Sequence, residues 1–159
     1  MIANQEGKQM KHKMLAVVLV MAVLVLAGCG NDPDTSLMKD GTYTAQMTKY
    51  SHGWREYVTI TVKNATIVTA EYNAENPSGF IKSWDNAYMN NMKTVTGTYP
   101  NEYTRYYAAF LINQKDVPSI DALTGATSSG ANFKRLTQAV IDKAKLGDSS
   151  IAFVQSEEN

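Results

Sequence analysis

Apolar and polar residues alternate through three consecutive segments in the first half of the chain. The alternation is most regular in residues 56–63, where Val58, Ile60 and Val62 fall on one side. A period of two indicates a strand with one buried face. Because these segments are also rich in β-branched and aromatic residues, they predict strands at residues 42–48, 56–63 and 66–73.

The second and third predicted strands are separated by Asn64 and Ala65, as in a two-residue hairpin turn. A left-handed backbone costs alanine about 1 kcal/mol relative to glycine. Ala65 therefore favours a turn of another type. Residues 74–83, which contain Pro77 and Gly79, are expected to form a loop.

A helical spacing of apolar residues replaces the alternation after residue 83. It predicts helices at residues 84–96, 100–114 and 129–145. Gly97 ends the first helix, Pro100 begins the second, and Pro118 prevents the second from continuing. The apolar faces consist of Tyr88, Met89, Met92 and Val95 in the first helix; Tyr103, Tyr106, Tyr107, Phe110 and Leu111 in the second; and Phe133, Leu136, Val140, Ile141 and Ala144 in the third.

Strands come first in this order of elements and helices mostly follow, without βαβ alternation. The order predicts an α+β fold in which a small antiparallel sheet packs with about three helices. The folded domain is expected to span residues 40–147. A short strand at 119–122 leads into the third helix, and residues 148–159 are expected to be a frayed polar tail.

The N-terminus has the pattern of an export signal. Three lysines precede an apolar run over residues 14–26, which is too short for a membrane-spanning helix of about 20 residues. Leu26-Ala-Gly-Cys29 follows and resembles the bacterial lipobox, whose cysteine is lipidated and becomes the first mature residue. The alternative is a plain secretory signal with an incidental cysteine. We expect a signal peptide at 1–28, a lipid on Cys29, a flexible tether at 29–39, and a mature protein held outside the cytoplasmic membrane.

Composition excludes several classes of function. The formal net charge is zero, so there is no basic footprint for nucleic acid. Cys29 is the only cysteine and His52 the only histidine beyond residue 28, which argues against a disulfide, a metal site or a Ser-His-Asp triad. The carboxylates are too scattered to predict an acid–base pair. No catalytic residue or metal ligand is therefore assigned.

One stretch, Asp121-Ala-Leu-Thr-Gly-Ala-Thr127-Ser-Ser129, combines small residues with hydroxyls ahead of the third helix. The free amides and dipole of a helix N-terminus suit an anion. The simplest interpretation is that Ser128 or Ser129 caps the helix.

The same stretch resembles the flavinylation motif of the FMN-binding domain family. That family includes a subunit of the sodium-pumping NADH:quinone reductase and its relatives in the Rnf complex. The resemblance covers about residues 40–146 and implies a covalent FMN, joined by a phosphoester to Thr127 and installed by a separate FMN transferase. Asp121, Thr124, Gly125 and Ala126 complete the motif, in which Gly125 and Ala126 admit the phosphoribityl chain. Ser128 and Ser129 are expected to help hold the phosphate.

Three segments also resemble the lipid-anchored flavoproteins of extracellular electron transfer, first known as pheromone-encoding lipoproteins. The segments are His52-Gly-Trp-Arg-Glu-Tyr57, Val95-Thr-Gly-Thr-Tyr-Pro100 and Thr124-Gly-Ala-Thr-Ser-Ser129. Those relatives can carry two such domains, and this chain has one. The Gly-rich loop and the His-rich or Glu-Thr-Pro-Gly segment of the quinone-reductase branch are missing, so that branch's flavin contacts cannot be transferred. A further hypothesis is that the apolar octapeptide at 21–28 is released as a signalling peptide.

The resemblance implies an electron carrier that receives electrons from a membrane quinol or dehydrogenase and passes them to ferric iron, soluble flavin or another acceptor. The alternatives are a flavin-dependent extracellular reductase module and a cofactor-free structural or binding lipoprotein. Because a planar ring suits aromatic neighbours, His52 and Trp54, or Tyr99 and Tyr103, are expected to flank the flavin.

Overall fold

The computed structural model describes residues 37–113 and 123–156. Its strands are β1 (Gly41–Met47), β2 (Arg55–Lys63), β3 (Thr66–Glu75) and β4 (Ala152–Val154). Its α-helices are α1 (Asn86–Thr96), α2 (Pro100–Asn113) and α3 (Thr127–Leu146), and a 3₁₀ helix covers Lys82–Trp84. Within these ranges, no helix has the length and apolar character needed to cross a membrane. The signal peptide, Cys29, the strand expected at 119–122 and Asp121 lie outside the described residues.

The predicted α+β class is confirmed, but the sheet is mixed rather than antiparallel. Its strand order is β3-β2-β1-β4. β1 and β3 each pair antiparallel with β2, and β4 lies parallel to β1 with Ala152 opposite Ala45. The prediction of a frayed tail was therefore wrong for residues 152–154. Backbone hydrogen bonds to β1 hold residues 152–154 in the sheet, although the residues around them are mostly polar.

The core lies between one face of the sheet and helices α2 and α3. The predicted inward residues of β2, Val58, Ile60 and Val62, are all buried. The face of α3 is also confirmed, because Phe133, Leu136, Val140 and Ala144 are fully buried; Ile141 is half-buried. Tyr103, Tyr107 and Leu111 of α2 are buried as expected, whereas Tyr106 is 43% exposed.

The β2–β3 hairpin turn corrects one prediction. Asn64 and Ala65 have φ angles of 51° and 56°, so both adopt the left-handed conformation. Turns with positive φ at both central residues match the right-handed twist of the flanking strands. The long ladder between β2 and β3 compensates for a backbone cost of about 1 kcal/mol at Ala65.

Helix α1 begins later than predicted, and none of its residues is fully buried, although the half-buried Met92 packs against the core. Asp85 caps it, accepting a hydrogen bond from the amide of Tyr88 at 2.9 Å, and Gly97 ends it with a φ of 77°. The predicted apolar face is confirmed in part, because Tyr88, Met89 and Met92 are half-buried, whereas Val95 is 76% exposed. Tyr88 and Met92 also line a pocket.

Candidate functional site

The small-residue stretch forms a tight turn that leads directly into α3. The amide of Ala126 donates to the carbonyl of Leu123 at 2.9 Å, and Gly125, at the third position of the turn, has a φ of 80°. This is the position that requires positive φ in a type II turn. A Cβ on Gly125 would lie 2.8 Å from the carbonyl oxygen of Thr96. The glycine is therefore required by packing against the end of α1, a reason that the sequence pattern did not provide.

Helix α3 begins at Thr127, two residues before the predicted start. Its N-cap residue is Ala126, which makes no side-chain cap hydrogen bond, so the prediction that Ser128 or Ser129 caps the helix was wrong. The first intrahelical bond runs from the amide of Gly130 to the carbonyl of Ala126 at 2.8 Å. Thr127, Ser128 and Ser129 therefore form the first turn, where amides lack intrahelical acceptors and the helix dipole is positive.

Ser129 ties this first turn to the sheet. Its hydroxyl donates to Glu56 Oε1 at 2.9 Å, and the Asn132 side chain donates to Glu56 Oε2 at 2.7 Å. The Tyr72 hydroxyl donates to the carbonyl of Ser129 at 2.8 Å. Burial, and then the Glu56 carboxylate, raise the pKa of Tyr72 well above its usual value. Thr127 and Ser128 remain exposed, in contrast to the half-buried Ser129.

A pocket of about 410 Å³ opens beside this first turn. One side is formed by Gly125–Ser129, and His52 and Trp54 from the loop before β2 line it as well. Tyr103 also lines the pocket, whereas Thr124 and Tyr99 do not. The remaining lining residues are Met47, Lys49, Ser51, Glu56, Lys82, Tyr88, Met92, Ala131, Asn132 and Ser156.

The loop that carries His52 and Trp54 is a second turn with positive φ. The Ser51 and Trp54 backbones exchange two hydrogen bonds of 2.8 and 3.0 Å, and His52 and Gly53 have φ angles of 50° and 84°. Trp54 is buried and meets Tyr88 edge-on, with ring centroids 5.9 Å apart. His52 is exposed. The pocket therefore has one fixed aromatic wall and one histidine at its solvent side.

Sequence reasoning missed three charged residues of the pocket, Lys49, Glu56 and Lys82. Glu56 belongs to the His52–Tyr57 segment that resembles the lipid-anchored flavoproteins. This resemblance is the one feature of the sequence that pointed to Glu56. Lys82 had no such signal, because it falls in a stretch that was expected to be a loop. Lys82 is nevertheless buried, and its Nζ lies 4.8 Å from the ring centroid of Tyr88.

The residues present fit the FMN that the resemblance implies. The volume of this pocket lies within the range of about 300–1,000 Å³ that is typical for ligands of cofactor size, and its wall combines aromatic with polar side chains. The free amides of the first turn of α3 and the exposed hydroxyl of Ser128 are suitable donors for a phosphate, whereas the Ser129 hydroxyl already donates to Glu56. Among residues 37–113 and 123–156, no group of His, Cys, Asp and Glu side chains is arranged to hold a metal ion.

Similar proteins are known. No protein-family model matches the chain. Over 131 residues the chain is 30% identical to the 15 kDa lipoprotein of Treponema pallidum (strain Nichols). That match covers 82% of this chain and 89% of the lipoprotein. It is also similar to the crystal structure of the CPE2226 protein from Clostridium perfringens, at 34% identity and a TM-score of 0.72. That match covers 76% of this chain and 100% of the other.

Proposed function

The chain belongs to the family of the 15 kDa lipoprotein of Treponema pallidum, and from this premise we propose that it is a flavin-carrying electron-transfer protein. As a lipoprotein, it is anchored to a membrane. In the proposed function the anchor is a lipid on Cys29, the domain lies on the extracytoplasmic face, and FMN is bound covalently to Thr127. Electrons arrive from a membrane quinol or dehydrogenase.

The position of Thr127 carries the proposal. It is the first residue of α3, its side chain is exposed, and it borders the aromatic-walled pocket. An exposed hydroxyl can be reached by a modifying transferase before the rest of the cofactor settles into the pocket. The free amides of the first turn and the helix dipole favour a phosphate at this position by typically 0.3–1 kcal/mol, or about 2 kcal/mol when the geometry is partly buried.

The residues around Thr127 hold the helix terminus in one place. Glu56 accepts hydrogen bonds from Ser129 and Asn132, so β2 and α3 are connected directly beneath the exposed threonine. Tyr72 adds a third connection from β3. A rigid attachment point favours electron transfer because the distance between a carrier and its partner stays constant.

When bound, FMN would supply one- and two-electron chemistry, which the protein's own side chains lack. Trp54 and Tyr103 would border its ring, and the exposed His52 would lie at the solvent side of the pocket. Both oxygens of Glu56 already accept hydrogen bonds, so this carboxylate is engaged in holding the helix. That arrangement favours an electron carrier over a reductase with its own acid–base group.

The test is co-expression with an FMN transferase, followed by in-gel flavin fluorescence of the denatured protein. Wild type and Ser128→Ala are expected to fluoresce, whereas Thr127→Val, which has nearly the same shape but no hydroxyl, is expected to be dark. A dark wild type, in cells where the transferase modifies another substrate, would leave a cofactor-free structural lipoprotein as the better description. Stopped-flow oxidation with and without small substrates then separates a carrier from a reductase.

A further inference from the structure

Lys82 is a buried cation in the wall of the pocket. Only 9% of its surface is exposed. Its backbone is held in place by β3, because the Asn73 side chain donates to Ser83 Oγ at 2.8 Å and anchors the 3₁₀ helix to this strand. The lysine is therefore presented to the pocket by a rigid element.

The described residues provide no ion pair for the charge of Lys82, because no carboxylate among them forms a salt bridge with its Nζ. Its close neighbours are aromatic: Nζ lies over the Tyr88 ring, and Tyr103 lines the same pocket. Glu56 also lines the pocket, but its two oxygens are bound to Ser129 and Asn132.

The surroundings of Lys82 nevertheless favour its protonated form. Burial alone lowers the pKa of Lys82, but interactions with Tyr103, Tyr88 and Glu56 raise it, and the net shift is upward. A buried charge without an ion pair is costly for stability unless something compensates for it. A pocket that keeps such a charge is suited to a ligand that carries or gains negative charge.

We propose that Lys82 binds the electron-rich edge of the flavin ring and favours the reduced cofactor over the oxidised one. This inference rests on the proposed function. Two-electron reduction with uptake of one proton adds one net negative charge to the ring, and the electrons come from the membrane quinol or dehydrogenase. The ammonium of Lys82 attracts that charge inside the protein, where water screens it less than it screens exposed cations away from the pocket, such as Lys93.

The experiment is a redox titration of the flavin-loaded proteins, monitored by absorbance. Lys82→Met removes the charge and keeps an unbranched side chain. We expect the ratio of affinities for reduced and oxidised flavin to fall about tenfold, which lowers the two-electron midpoint potential by about 30 mV. Lys82→Arg is expected to restore most of the shift. Lys93→Met, which removes an exposed lysine of α1 that does not line the pocket, is the matched control and is expected to have no effect.

A loaded, folded Lys82→Met protein with an unchanged potential would overturn the proposal. If Lys82→Met does not fold, Lys82→Gln serves the same purpose, and circular dichroism establishes which variant is folded. Lys82→Met and Lys82→Gln are also made in the Thr127→Val background. Their binding of free oxidised and reduced FMN is compared, without oxygen, with that of Thr127→Val alone. If covalent attachment fails but free reduced FMN binds more tightly than oxidised FMN, and only when Lys82 is present, the role of Lys82 stands without Thr127. If covalent attachment fails and free FMN shows no such preference, or does not bind, the role of Lys82 is refuted.

Discussion

Gly125→Ala is expected to destabilise the protein more than an ordinary glycine substitution. Gly125 combines a φ of 80° with a crowded environment. An added Cβ would lie 2.8 Å from the Thr96 carbonyl oxygen, 2.9 Å from Thr96 Cβ and 3.1 Å from Thr98 Cγ2. Two of these three contacts are with atoms that cannot move without shifting the backbone at the end of α1.

The magnitude follows from two separate costs. A left-handed backbone costs a non-glycine residue about 1–2 kcal/mol. Forcing extra volume into a packed site adds about 1–3 kcal/mol. We therefore expect Gly125→Ala to lower the free energy of unfolding by about 3 kcal/mol in total. Gly79 is the matched control, because its φ is 78° but nothing lies within 4 Å of its added Cβ. Gly79→Ala should show the backbone cost alone.

Urea unfolding followed by circular dichroism measures both variants. The expected difference between them is about 2 kcal/mol, which isolates the crowding against Thr96 and Thr98. Equal destabilisation by the two substitutions would refute the packing argument. Because the turn positions Thr127, Gly125→Ala is also expected to slow flavin attachment, whereas Gly79→Ala should be loaded at the wild-type rate.

Three further predictions concern hydrogen bonding. Thr137 Oγ1 is buried and has no partner among the described residues, so Thr137→Val should raise the free energy of unfolding by about 1 kcal/mol; a decrease would mean that the hydroxyl is satisfied. Asn132→Ala removes a donor to Glu56 and should cost about 1–2 kcal/mol in urea unfolding, whereas Gln138→Ala, an exposed control in the same helix, should cost less than about 0.5 kcal/mol. Burial and Glu56 raise the pKa of Tyr72 in the folded state. As the pH rises through about 10, Tyr72 therefore ionises in the unfolded state but not in the folded state. This ionisation favours unfolding, so the stability that the protonated tyrosine contributes below about pH 10 is progressively lost. Tyr72→Phe should therefore show a shallower loss of stability above pH 10, and an unchanged slope would contradict this.

Local pattern was sufficient for the parts of the fold that depend on one element. Val58, Ile60 and Val62 alternate because only one face of β2 meets the core, and Gly97 ends α1 because it accepts a left-handed conformation. The same reasoning misassigned the cap of α3. Capping preferences favour the serines, but the turn at Gly125 brings Ala126 to the cap position.

Other features depend on contacts between residues that are distant in sequence. β4 has three residues and pairs with β1 across most of the chain, so no local signal distinguishes it from a tail. The apolar residues of α1 have helical spacing, but the spacing does not reveal that Tyr88 and Met92 line a pocket. Lys82 reaches that pocket because Asn73 anchors the 3₁₀ helix beside it. The motif around Thr127 could be found in the sequence, whereas the charged residues that surround it required the structure.

The most direct test of the central claim is peptide mass spectrometry of the protein purified from membranes of cells that contain an FMN transferase. We expect the peptide spanning Thr127 to carry the mass of FMN less one water, and fragmentation to place this mass on Thr127 rather than on Ser128 or Ser129. An unmodified peptide, in cells where the transferase is active on another protein, would contradict the claim.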